Sequence, residues 1–538
     1  MSAKLRRSPV PSDHFDKNER SERSSSENRL THDLMSSNKS LSKRLDIITA
    51  LVAIAVFITV YNFYGLTRLE NQRLDSLTYS VSELVNPNLN RPVVTECQPN
   101  DPKPIAWISG QRLESGYLDH VIDVFDKIGY QITYNGSDEW DVLWSHDYPF
   151  MRNFLPTLKS HQRVNHFPGS GFITNKVNLA TSRLKHIPLA FNLPNDKDKF
   201  VEHSKMHPNK LWVKKDSNHR GIRILDLETV NLSASGTFMQ EYIQKPYLID
   251  GKKFDIGIYA IMTSINPLRV YILESDALLR FCAKPYYPFN SSDVDTYVVG
   301  DDYTPTWMMP SLRKYFIDLN MNMKESFNGY LRSLKKDPTF VWKQIEDSIK
   351  TVYYTKEEQM LQLTAAFLST RHFFELVRFD FALDEDLNVY LMEANMSPNL
   401  SSAHFGPNKM LYEQVIFNLL SLVGVARTLN TKTWVERDAE NYNIMVSTKD
   451  LSVNEELCSS DKCHLSCKSK DCDVCYHCLR DDHKLVLKDA FLEHNSKWNT
   501  KRLIPSTTDE ESDLIKSEEN IRHLKWFKGK CQQNKLWC

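Results

Sequence analysis

Short apolar runs separated by polar turns fill the middle of this chain, and their period changes along it. From residue 105, AWISG and WDVLWS read as short strands around the amphipathic stretch YLDHVIDVFDKIGY, the pattern of a small α/β domain extending to about residue 200. From 201 to 427, the runs LWVKK, FMQEY, FDIGIYAIMTS and LRVYILES predict further strands. Helices follow around 341–374, and MLYEQVIFNLLSLVGVA at 410–426 predicts a closing amphipathic helix. The expected fold class is mixed α/β (α+β).

The run FELVRFDFALDEDLNVYLMEAN predicts a β-hairpin. Val377–Leu383 and Val389–Asn395 are rich in aromatic and branched residues, and Asp384-Glu385-Asp386 between them is turn-like. Side chains two apart on a strand share a face, so Glu393 and Asn395 project together, and antiparallel pairing puts Asp380 within about one residue of facing Glu393. Two opposed carboxylates repel unless a cation lies between them, and hard oxygen donors suit Mg²⁺ with phosphate oxygens completing its shell. Acidic residues facing water are the plainer reading of the same hairpin.

The two ends of the chain follow other patterns. Residues 1–46 are rich in Ser, Arg and Glu and poor in aromatics, as disordered tails are. The uncharged run IITALVAIAVFITVYNFYG at 47–65 would span roughly 28 Å as a helix, enough to cross the hydrocarbon core of a bilayer. Arg29, Lys39, Lys43 and Arg44 upstream outweigh Arg68 and Arg73 downstream, which predicts a cytosolic N-terminus and a type II membrane protein whose C-terminal domain is lumenal or extracellular. All ten cysteines lie beyond this run, and sequons occur at Asn135, Asn231, Asn290 and Asn399. Residues 66–104, dotted with prolines, read as a stem.

The region 428–538 reads as a cysteine-rich tail, with Cys458, Cys463, Cys467, Cys472, Cys475 and Cys478 crowded together and Cys531 and Cys538 at the end. Beside His464, His477 and His483 these could hold zinc, but outside the cytosol disulfides are the expected fate, with their pairing left open. The 538 residues, 41% hydrophobic and 25% charged, have ordinary globular composition with room for two or three domains, and a net charge of -1 points to no nucleic-acid partner.

Candidate chemistry is concentrated in 201–427. Lys214 in LWVKKDSNHRGIRIL sits on an apolar strand that runs into a polar loop with Arg220 and Gly221, where a lysine and backbone N–H groups could hold phosphates. Asp250-Gly251 predicts a tight turn, after which Lys253 and Asp255 share a strand face.

In order and wording, these elements resemble the tubulin tyrosine ligase-like family of the ATP-grasp superfamily over roughly residues 105–427. EWDVLWS and QRVNHFPGSGFITNKVNLA look like its N-domain signatures, and YLIDGKKFDIGIY and FELVRFDFALDEDLNVYLMEANMSPNLSS like its core motifs. The resemblance implies an ATP-grasp core and an ATP- and Mg²⁺-dependent ligase of the tubulin polyglutamylase type. Such an enzyme adds free glutamate to tubulin or another acidic protein through an acyl phosphate.

It further implies that Lys214 and Lys253 contact ATP phosphates and that Arg220, Gly221 and Asp255 complete the nucleotide site. Gln240, Glu241, Tyr242 and Ile243 would frame the adenine, and Asp380, Glu393 and Asn395 would bind Mg²⁺. Lys253, Asp380 and Glu393 form the implied catalytic set. Three departures stand out: Gly257 where the family usually has arginine, Arg223 where it usually has a second glycine, and DVDTYVVGDDYTPTW where its H-L-T-N stretch is expected. Gly257 reads either as a lost guanidinium or as room for a different substrate or a neighbouring side chain. Alternatives to the polyglutamylase are therefore a weakened nucleotide- or tubulin-binding protein, or a ligase or glycylase acting on a lumenal acceptor.

Overall fold

The computed structural model describes residues 103–137, 139–216, 222–224, 230–426, 444–507 and 514–538. The expected N-terminal tail, the span at 47–65 and nearly all of the stem lie outside the described residues, as do Arg220 and Gly221. Among the described residues, no helix is long and apolar enough to cross a membrane.

The N-terminal region forms four parallel strands, β1 (Ile105–Ser109), β2 (Gln131–Thr133), β3 (Val142–Ser145) and β4 (Arg163–Asn165), in the order β4-β3-β1-β2. The helix Asp119–Lys127 buries Val121, Val124 and Phe125, one apolar stripe at helical spacing, as the amphipathic pattern predicts. A separate four-stranded antiparallel sheet follows: β5 (Ala190–Leu193), β6 (Trp212–Asp216), β7 (Arg223–Ile224) and β8 (Thr237–Glu241), ordered β5-β8-β6-β7. Phe191, Phe200, Trp212 and Met239 form its own small core.

The central strands are β9 (Phe254–Ile265), β10 (Leu268–Leu273), β11 (Leu278–Phe281), β12 (Thr304–Pro305), β13 (Phe373–Leu383) and β14 (Val389–Asn395). β9 is almost wholly buried, as expected for a strand covered on both faces, and it pairs with β10, β11 and β13. β13 begins at Phe373, four residues before the predicted start, and these extra residues pair in parallel with β4 through Phe373↔Val164 and Phe374↔Asn165. The four N-terminal strands and the six central strands thus belong to one sheet, which reaches eleven strands with one from the cysteine-rich region. The long helix Thr339–Thr364 and the helix Lys409–Leu422 pack on it, the second close to the predicted 410–426.

The cysteine-rich region is woven into this sheet. Its strand β15 (Thr500–Ile504) pairs antiparallel with β10. Glu493, from the helix Asp481–Asn495, accepts two hydrogen bonds at 2.9 Å from the buried Arg269 and one from Thr263 at 2.8 Å. Asn520 accepts from the Leu268 backbone N–H at 2.7 Å. The cysteines pair as disulfides, Cys458–Cys475, Cys463–Cys472, Cys467–Cys478 and Cys531–Cys538, so the zinc alternative loses its thiolates.

Candidate active site

A cleft opens between the four-stranded sheet and the central sheet. From the first come Val213, Lys215, Gln240, Glu241 and Tyr242, and Ile222 precedes β7. Phe254, Asp255, Arg280, Asp380 and Glu393 come from the second, and Lys253 stands just before β9. The apolar Val213, Ile222, Val298 and Met392 offer a surface for a planar base, while the charged groups gather at the other residues of the lining.

The lysine on β6 that enters the cleft is Lys215. Lys214 lies one position along, so its side chain leaves the opposite face of the strand and donates to the Asn231 carbonyl at 2.8 Å. Lys215 shares its face with Val213 and donates to Gln240 Oε1 at 2.8 Å. Burial pushes the Lys215 ammonium down to about 8, although Glu393 pulls the other way. Lys253 donates to the Tyr297 carbonyl at 2.8 Å and lies over the Tyr242 ring at 5.6 Å from its centroid. Burial lowers its pKa as well.

Of the four residues expected to frame the adenine, Gln240, Glu241 and Tyr242 line the cleft and Ile243 does not. The Asp250-Gly251 turn forms with both residues at positive φ, 49° and 74°, and it brings Lys253 and Asp255 to one side as predicted.

The hairpin is present with Asp380 directly opposite Glu393 and Arg378 opposite Asn395, and the register shifts between Asp380 and Phe381 beside the site. Asp380 is almost fully buried. It accepts from Arg378 Nε at 2.7 Å and a second Arg378 nitrogen at 2.9 Å, from Arg280 at 3.2 Å and from Asn395 Nδ2 at 2.9 Å. Arg280 also forks onto both oxygens of Asp255 at 3.0 and 2.9 Å. Burial lifts Asp255 above the ordinary carboxylate range, against the pull of Arg280. Glu393 is more open: its side chain is 30% exposed, Lys176 lies at 2.9 Å and Asn395 Nδ2 at 3.2 Å. Burial works against its charge, but Lys176, Asn395 and the nearby Lys215 outweigh it and hold the carboxyl down at about 2.

Of the charged residues that line the cleft, Lys215, Lys253 and Arg280 stand among Glu241, Asp255, Asp380 and Glu393, and the hydrogen bonds of Lys215 and Lys253 run to neutral oxygens, so these two ammonium groups are placed to meet an anion. As donors for Mg²⁺, Glu393 and the amide oxygen of Asn395 fit, because the bonds made by Asn395 use its Nδ2. Asp380 is committed to N–H donors on both oxygens.

The departures from the family pattern have physical explanations. Arg223 is exposed on β7 and does not line the cleft, whereas Tyr297, Val298 and Val299 from the divergent stretch do. A Cβ on Gly257 would lie 3.0 Å from Arg378 Cδ and 3.2 Å from Asp380 Oδ1, so Gly257 is small because Arg378 passes over it.

On the far side of Glu393, a cavity of about 680 Å³ is lined by His146, Tyr148, Lys176, Asn178, Asn395 and Ser397 among others. Lys176 and Asn395 line this cavity and bond Glu393, which lines the first, so the end of the hairpin lies where the two spaces adjoin.

Sequence reasoning passed over Lys176, Lys215, Arg280 and Arg378. Arg378 was signalled by standing two residues before Asp380, whereas nothing in LWVKK marks which of its two lysines faces the cleft.

A site that can grip polyphosphate on one side of a carboxylate and admit a second reactant on the other belongs to an ATP-dependent ligase. The family model for the tubulin-tyrosine ligase family matches residues 156–432, and the chain belongs to that family. It is 39% identical over 451 residues to a protein named probable tubulin polyglutamylase ttll-15 from Caenorhabditis elegans, covering 81% of this chain and 87% of that one. Tubulin polyglutamylase TTLL6 of Mus musculus is 29% identical over 307 residues, 54% of this chain and 37% of its own length. For tubulin monoglutamylase TTLL4 of Homo sapiens the figures are 28% over 317 residues, 54% and 25%.

Proposed function

We propose that this protein is an ATP-grasp ligase of the polyglutamylase type, joining the α-amine of free glutamate to a glutamate side chain of an acidic protein, tubulin in the first instance. The observation that carries this reading is the pair of buried lysines in the cleft, Lys215 and Lys253, whose hydrogen bonds run to neutral oxygens, with Glu393 where the cleft adjoins the second cavity. In the first step an acceptor carboxylate oxygen attacks the γ-phosphorus and ADP leaves. In the second the amine attacks the acyl carbon, inorganic phosphate leaves with the C–O bond electrons, and the amine loses a proton.

Lys215 and Lys253 would neutralise phosphate oxygens, Arg280 would stabilise charge on the transferring group, and Glu393 with Asn395 would hold Mg²⁺. Bound there, the ion would draw charge from the phosphate oxygens. The second cavity, with Lys176 and His146, would receive the acceptor carboxylate or the incoming amino acid.

The test is transfer of radiolabelled glutamate or glycine, with ATP, onto tubulin or bulk protein. Glu393→Gln should abolish incorporation while leaving the thermal unfolding curve in place. Full turnover by that variant would overturn the assignment.

A lumenal acceptor is the second reading. Four disulfides favour it, as do sequon asparagines that are exposed at Asn135, Asn231, Asn290 and Asn399. With the expected membrane span at 47–65, these features support a type II protein whose ligase domain faces away from the cytosol.

A further inference from the structure

Beneath the cleft, one guanidinium remains that this chemistry does not use. Arg378 is 7% exposed at its side chain and does not line the cleft, yet it lies on the same face of the sheet as Asp380. Pairing of β9 with β13 sets Asp380 opposite Gly257 and Arg378 opposite Tyr259. Arg378 Cδ and Nε therefore occupy the space above Gly257, at 3.0 and 3.4 Å from where a Cβ would be.

The consequence falls on Asp380. A carboxylate offers about four lone-pair sites. Those of Asp380 face two N–H bonds from Arg378, one from Arg280 and one from Asn395. A divalent ion on this carboxylate would displace a donor and sit against two guanidinium charges. Glu393, whose hydrogen-bonding partners among the described residues are Lys176 and Asn395 and whose side chain is partly open, has room for one.

We propose that Arg378 is a positioning residue acting through Asp380, a built-in cation that makes Asp380 the anchor of Arg280 and leaves the site a single divalent ion, held by Glu393 and Asn395. Gly257 is its counterpart, the position whose missing side chain admits the arginine. The proposal rests on the nucleotide reading of the cleft.

The test counts Mn²⁺ by electron paramagnetic resonance on the full-length protein with a non-hydrolysable ATP analogue, whose binding is measured separately by calorimetry. The wild type should bind one Mn²⁺ per bound analogue. Arg378→Gly should bind two, Arg378→Lys should keep one, and Gly257→Arg combined with Arg378→Gly should return the count to one by supplying the guanidinium from β9.

Two Mn²⁺ ions in the wild type would overturn the proposal, and so would a count that stays at one in a folded Arg378→Gly. The wild-type count decides even if that variant fails to fold. Analogue binding with the wrong ion count defeats this inference alone, whereas no analogue binding at all defeats the nucleotide reading and this inference with it.

Discussion

On the central-sheet wall of the cleft, Asp255 and Asp380 meet Arg280 and Arg378 in forked hydrogen bonds, whereas on the β6–β8 wall Lys215 has the neutral Gln240 amide as its hydrogen-bonding partner. The first wall has settled its electrostatics within the fold. The second keeps a charge that burial disfavours and that Glu393 offsets only in part, so an incoming anion would favour it further. Stability and ligand binding should therefore respond to different residues.

The largest effect is expected on the paired wall. Asp380→Asn leaves two buried guanidinium groups short of a counter-charge, and removing one partner of a buried pair typically costs about 3–5 kcal/mol. Denaturant unfolding should show that loss. A variant as stable as the wild type would mean that the wall is not held by its ion pairs.

On the other wall, Lys215→Ala should not lower stability at neutral pH, since it removes a charge that burial disfavours, but it should weaken ATP binding by about 1.5–3 kcal/mol, the range for a charged hydrogen bond. Lys214→Ala, whose ammonium faces away from the cleft, should shift ATP affinity by no more than about 0.5 kcal/mol. Reversal of that order in a calorimetric titration would exchange the two lysines.

A smaller effect concerns protons. Lys215 in the free protein loses its proton near pH 8, whereas its ordinary value is 10.5. Nucleotide phosphates would raise that pKa, so ATP binding should take up protons between about pH 8 and 10, visible as a dependence of the binding enthalpy on the buffer's ionisation heat. The unfolded chain keeps this proton up to about 10.5, so the Lys215 contribution makes the fold more stable as pH rises from about 8 toward that value. Both signatures should vanish in Lys215→Ala.

The smallest effect on the site itself is glycosylation. Asn135, Asn231, Asn290 and Asn399 are exposed, and enzymatic removal of N-glycans should increase the gel mobility of the expressed protein. With no change in mobility, and a C-terminal domain digested by protease outside intact vesicles, the domain would face the cytosol and tubulin would be its natural acceptor.

The hairpin was legible because its strands and turn are contiguous and its period is unambiguous, so the Asp380–Glu393 pairing followed from counting. Lys214 and Lys215 were not separable, because Trp212 and Val213 before them are both apolar and both buried, one in the core of the four-stranded sheet and one toward the cleft. Lys176 and Arg280 reach the site from remote segments, which no local pattern reveals. β15 was illegible for another reason: TKRLI is short and half polar, and its place in the sheet is fixed by Glu493 and Asn520 gripping β10 and its neighbours.

That last strand has a bearing on how the protein is made. β10 finds its outer partner more than two hundred residues further along the chain, so the sheet that carries the cleft cannot close its edge until nearly all of the polypeptide has been synthesised. A product stopped after residue 427 would carry every cleft residue described above, yet it would present the bare hydrogen-bonding edge of β10 and an Arg269 without Glu493. Such an edge invites aggregation, so the last segment protects the sheet that carries the cleft.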